Sequence, residues 1–186
     1  MAIDPLTTWR STLAALPKVS DASWAPNFAA WYADRLVAIT TDPAALVPTG
    51  FVFTFAQAIF AAQLTALTPV DDPVAGTQGF ADAWETALLA TTAVIASGSF
   101  IPPTSPATLF SVVSSTIIVP ASIVAGKAKI MELVTAPSVS DPLLSEFPVK
   151  FREATLLLKI TATGLDSTTP GNGGPLPLTA TDVPLI

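Results

Sequence analysis

Charge is nearly absent from the middle of this chain, and that limits what it can fold into more than any motif does. No charged residue lies between Glu85 and Lys127, and no basic residue between Arg35 and Lys127. Charged residues make up 12% of the sequence against 51% hydrophobic, where an ordinary soluble domain carries roughly 25% charged. A solvated surface needs polar and charged side chains. A chain this poor in them must bury much of itself against partners or meet lipid. Its 186 residues suffice for one domain with a real core, or at most two small ones.

The lipid alternative rests on three apolar runs, residues 51–67, 86–101 and 107–125. Gln57 and Gln63 break the first, and Thr91, Thr92, Ser97 and Gly98 the second. The third approaches the ~20 residues a helical span needs. It contains Ser111, Ser114, Ser115, Thr116 and Ser122, with Pro120 in its last third, and lacks an aromatic belt at its ends. A membrane span is therefore the lesser expectation, and a membrane-associated helical protein stays as a rival. Asp4 and Pro5 stand where a secretory signal would carry basic residues, so no such signal is expected.

The chain has no Cys and no His. Disulfides, thiolate chemistry and the usual zinc sites are excluded, as are Ser-His-Asp and Cys-His nucleophile pairs. A net charge of −6 does not suit a dedicated nucleic-acid binder, whose affinity comes from Lys and Arg on phosphates. Neither a cofactor, a metal site nor a catalytic residue is expected, and the chain is read as not an enzyme.

Helical signals dominate. Asp4-Pro5 is a start signal, followed by Leu6, Trp9, Leu13 and Leu16 at helical spacing and Pro17 as a stop. Residues 21–40 carry a stripe of Trp24, Phe28, Trp31, Tyr32, Leu36 and Ile39. A third helix is expected over 51–67, buried on most sides and ended by Pro69 and the Asp71-Asp72-Pro73 turn. A fourth is expected over 78–97, then a loop over 98–106 with three prolines. Residues 121–134 read as a helix with Pro120 at its start, and Ser140-Asp141-Pro142 as another start signal. Two segments stay open between helix and strand: 108–119, rich in β-branched residues, and 147–163, where Leu156, Leu158, Ile160 and Ala162 alternate while Phe151, Ala154, Leu158 and Ala162 suit a helix.

The expected fold is mainly α, a helical bundle of about six or seven helices over residues 1–163. A faint internal repeat divides it into similar halves, about 1–75 and 76–163. Leu36, Asp42-Pro43, Leu46, Phe51, Phe55 and Ala58 are echoed by Leu133, Asp141-Pro142, Leu144, Phe147, Phe151 and Ala154. Chance likeness between Ala- and Leu-rich helices is the competing explanation. Residues 164–186, with Gly171, Gly173, Gly174, Pro170, Pro175, Pro177 and Pro184, read as an extended tail. Its apolar residues Leu176, Leu178, Val183, Leu185 and Ile186 are the candidate interface, an arm docking on a neighbouring subunit; a frayed terminus is the plainer alternative.

Asp82 and Glu85, with Asp71 and Asp72 nearby, form a carboxylate group that reads better as a solvated helix start than as a cation site. Lys127, Lys129, Lys150, Arg152 and Lys159 are interleaved with Glu132, Asp141, Glu146 and Glu153, the pattern of an ordinary mixed face.

In the later third, Phe147-Pro148, Arg152-Glu153-Ala154, Gly164-Leu165-Asp166-Ser167 and the tail through Gly174-Pro175-Leu176-Pro177 resemble small virion proteins of tailed bacteriophages. The resemblance implies a structural part of a neck, tail or baseplate, with no catalytic residues to carry over. The implied location is the virion, and the host cytoplasm during assembly. The expected partners are copies of itself and other structural proteins. Nucleic acid, membrane and small-molecule substrate are not expected, and a binding module for a small ligand or a protein is the other rival.

Overall fold

The computed structural model describes residues 4–17, 21–42, 46–67, 72–100, 108–136, 145–166 and 177–186. Among them are six α-helices: α1 (Leu6–Ala14), α2 (Trp24–Leu36), α3 (Gln57–Ala66), α4 (Pro73–Leu89), α5 (Pro120–Met131) and α6 (Phe147–Leu156). A 3-10 turn, Glu132–Thr135, follows α5. There are also seven strands: β1 (Leu46–Thr49), β2 (Val52–Thr54), β3 (Thr92–Val94), β4 (Ser97–Phe100), β5 (Thr108–Ile118), β6 (Lys159–Asp166) and β7 (Pro177–Pro184). The strands form a five-stranded antiparallel sheet in the order β1-β4-β5-β6-β7 and a separate antiparallel pair, β2-β3. The fold is mixed α and β. The expectation of a mainly α, all-helical bundle is corrected.

The corrections have local causes. Residues 51–67 divide: Gly50, at φ +67, turns the chain from β1 into β2, and the helix begins only at Gln57. Helix α4 starts at Pro73, five residues before the expected Gln78. The Asp72 carboxylate accepts from the Val74 amide at 2.8 Å, and Pro73 opens the first turn. It stops at Leu89, where the β-branched run from Thr91 leads into β3. Of the loop expected over 98–106, residues 98–100 belong to β4, and 101–107 lie outside the described residues. The β-branched stretch over 108–118 is strand, with register irregularities near Val112 and Ser115 that bend it.

Residues 147–163 are helix and then strand. Phe151, Ala154 and Leu158 are buried at helical steps, and Ile160 and Ala162 at strand steps. Leu158 belongs to both patterns, which is why either period fits. The tail is not an extended arm. Over residues 177–184 it is β7, hydrogen-bonded to β6, with Ala180, Val183 and Leu185 in the core. At Asp182, φ 55, the strand carries an extra residue against β6.

The sheet curls far enough for its margins to meet. Thr40 and Ile186 exchange backbone hydrogen bonds of 3.0 and 2.8 Å, and the Asp42 amide donates to the Pro184 carbonyl at 2.9 Å. So residues 40–42 pair beyond β7, and Leu46, tied back to Asp42 at 2.9 Å, opens β1 at the other margin.

The core is aromatic and centred on α2. Phe28 lies 5.5 to 6.3 Å, between ring centroids, from Phe60, Phe80, Phe147 and Phe151. Tyr32 stands 5.1 to 5.8 Å from Phe55, Phe60 and Phe151. Each such side chain, fully buried, contributes about 1.5–3 kcal/mol. Helix α5 approaches Trp84 of α4 at Gly126, where an added Cβ would collide with the indole ring and sit 3.0 Å from the Ala154 carbonyl of α6. The two stretches of the faint repeat thus feed one core. Their local structure differs: Phe51 and Phe55 precede α3, whereas Phe147 and Phe151 lie within α6. Pro43, Asp141, Pro142 and Leu144 lie outside the described residues.

Candidate functional site

The charged groups that the sequence places together on α4, α5 and α6 are engaged with one another. Lys127 of α5 reaches across to α4, with Nζ 2.5 Å from both Asp82 Oδ1 and Glu85 Oε2. The two acids do share a face, but a lysine ammonium fills the place a cation would take, and its pKa is raised by the hydrogen bonds it donates to Asp82 and Glu85. Asp72 is spent on the α4 cap, and Asp71 lies outside the described residues. No group of three or more acids able to hold a metal ion occurs among the described residues.

Lys129, Lys150 and Arg152 are tied up in the same way. Glu132 takes Lys129 at 2.6 Å and Lys150 at 2.8 Å, and Lys150 also meets Glu153 at 3.1 Å. Those lysine contacts hold the Glu132 carboxyl below its usual range. Arg152 Nε donates to the Asp4 carbonyl at 3.0 Å, and Arg35 pairs with the Asp4 carboxylate at 2.8 Å. Asp4 therefore does not cap α1. Pro5 takes the capping position, and Asp4 holds α2 through its carboxylate and α6 through its backbone carbonyl to the start of the chain.

One buried polar chain remains. Trp84 Nε1 donates to Tyr32 Oη at 2.8 Å, and Thr155 Oγ1 donates to the Phe151 carbonyl at 2.8 Å. Since the Thr155 proton is committed to that carbonyl, Tyr32 donates to Thr155 across their 2.8 Å contact. Burial pushes the Tyr32 phenol up to about 12. A fully satisfied, neutral network of this kind fixes packing and offers no base.

The candidate arm residues are placed as follows. Val183 is 2% exposed and Leu185 0%, both within the chain's own core, and the Leu185 amide donates to the Leu158 carbonyl at 3.0 Å. Ile186 is half-buried against Thr40. Leu178 lies in β7, and Leu176 lies outside the described residues.

Uncovered apolar surface occurs elsewhere. The end of α4, β3, the end of β5 and the start of α5 surround a depression of about 440 Å³. Leu88 and Ile123 form its buried floor, and its rim is Leu89, 63% exposed, Val94, 55%, and Ile117, 60%. No charged residue lines it. Thr116 Oγ1, also in its wall, is buried without a hydrogen-bond partner. Val52, directly across from Val94 in the β2-β3 pair, extends the apolar surface. The sequence reading did not single out these residues. The signal for them was the charge-free stretch from Thr86 to Gly126, which supplies every lining residue except Val52 beside it.

Among the described residues no helix is long and apolar enough to cross a membrane. No family model, no curated protein and no solved structure matches the chain.

Proposed function

We propose that this protein is a structural subunit that works by burying the apolar rim of Leu89, Val94 and Ile117 against neighbouring proteins of a larger assembly. The observation that carries this reading is the contiguous, charge-free surface around the depression. Monomeric proteins seldom leave a large patch of this kind to water, and a patch without charge at its centre resembles the core of an interface. The assembly is a tailed-phage particle, a claim that rests on the resemblance in the later third of the sequence alone. The C-terminal residues serve it from inside the fold, as the strand that completes the sheet.

Sedimentation of particles from a producing culture tests this. The wild-type chain should travel with the particles. The Val94→Lys, Ile117→Lys double variant should fold with unchanged circular dichroism and stay in the soluble fraction. Incorporation of the double variant at the wild-type level would sink the docking role. A wild-type chain that never sediments with particles would sink the assignment to one.

A further inference from the structure

The chain's three arginines, Arg10, Arg35 and Arg152, fall on α1 and on the two helices it packs against, α2 and α6. Two of them converge on one residue. Arg35 Nη1 lies 2.8 Å from the Asp4 carboxylate, and Arg152 Nε donates to the Asp4 carbonyl at 3.0 Å. One carboxylate thus faces two guanidinium groups, which leaves a surplus of one positive charge. The lysines of α5 and α6 are placed differently: Lys127 and Lys150 each meet two carboxylates, and Lys129 meets one. Neighbouring acids do not cancel the surplus. Glu153, beside Arg152, is held by Lys150 at 3.1 Å, and Asp34, beside Arg35, is exposed and pairs with neither arginine. Among the described residues Arg10 has no carboxylate of its own.

Donors are unspent as well. A guanidinium group carries five N–H donors in a fixed fork. Arg152 uses its Nε, and the two Nη atoms beyond it have no partner among the described residues. Arg35 uses Nη1, while its Nε is buried without an acceptor, as is that of Arg10. The Arg35 side chain is only 15% exposed, so solvent and salt screen its charge incompletely. Buried polar groups are normally paired, and a guanidinium donor pairs most strongly with an anion.

We propose that Arg152 and Arg35 bind a small oxyanion, a carboxylate or a phosphate group, beside Asp4. The Nη fork of Arg152 takes two oxygens side by side, the arrangement in which guanidinium groups recognise both kinds of anion. Arg35 adds its charge and its remaining Nη2 donors. The net charge of −6 works against anions over the rest of the surface, so the attraction is local and weakens with salt.

Melting curves in inorganic phosphate and in acetate, each compared with chloride at the same ionic strength, test the site. At least one of the two anions should raise the wild-type melting temperature. A rise with phosphate alone makes the ligand a phosphoryl group, with acetate alone a carboxylate, and with both a group of either kind. Arg152→Gln should lose the rise, and Arg152→Lys, which keeps the charge without the fork, should lose most of it. Lys129→Gln, on the mixed face, should keep it in full. Backbone amide shifts in a nuclear magnetic resonance titration give a readout independent of stability, and should move most around Asp4, Arg35 and Arg152. No rise with either anion, an equal rise in Arg152→Gln, or shifts that move elsewhere would each overturn the site.

Discussion

Tyr32 shows how a polar group can be buried at the centre of an aromatic core without a catalytic purpose. It accepts from Trp84 and donates to Thr155, so neither of its neighbours is left unpaired. Its phenol has an ordinary value of 10.0 in the unfolded chain and about 12 in the fold, because burial disfavours the phenolate. The native state therefore keeps its proton where the unfolded state loses it. The ionisation of Tyr32 has no effect on stability below pH 10, and its contribution makes stability fall as the pH rises from there towards 12. The chain contains a single tyrosine, so the absorbance of tyrosinate reports on this residue alone. It should titrate late in the native protein and normally in denaturant. Tyr32→Phe should remove the tyrosine's share of the pH dependence, leaving that of Lys127 and Lys150, and cost about 1–3 kcal/mol in denaturant unfolding, since the Trp84 N–H is left buried and unpaired.

At the scale of elements, β7 carries the most weight for its length. It pairs with β6 along most of its span, and its end is clamped between Leu158 and Thr40. Leu185→Ala should cost about 2–5 kcal/mol, the range for truncating a fully buried leucine. Denaturant unfolding checks this. Removing residues 165–186 should unfold the chain, with loss of the helical signal along with the sheet. Helices were the legible part of this sequence, because Trp9, Phe28, Tyr32 and Trp84 recur at steps only a helix places on one face. The start of α4 was legible too: Asp72-Pro73 is the same signal as Asp4-Pro5, obscured by Gly76 and Gly79 in the turns that follow. The sheet was not. Its strands are four to eleven residues long, and β4, between Ile95 and three prolines, shows no alternation to separate it from loop. The pairing of β7 with residues 40–42 leaves no local trace, since it depends on segments far apart in the chain. The candidate docking surface was half visible: the lack of charge is plain in the sequence, but which of those residues face water depends on how the β2-β3 pair sits against β5.

At the scale of the molecule, the helices and the sheet share one core fed from every part of the chain. Phe28 from the first stretch meets Phe60 beside it and Phe80, Phe147 and Phe151 from the second. Unfolding should therefore be a single event. In a denaturant titration, the near-ultraviolet signal of the tryptophans and the far-ultraviolet signal of the helices should fall together. Transitions at two separate denaturant concentrations would mean two units that melt independently. The curled sheet has a further consequence, for the path by which this fold forms. The bond between Tyr32 and Thr155 spans 123 residues, and the pairing of residues 40–42 with 184–186 spans still more of the chain. Loops of that length close late, and their entropic cost is met before the contacts repay it. Until they close, the end of β7 stands as an open edge in a chain with few charges to keep neighbouring molecules apart. The slowest step is then also the one most exposed to aggregation. How much protein a cell accumulates would be governed by the speed at which that edge is sealed as much as by the stability reached afterwards.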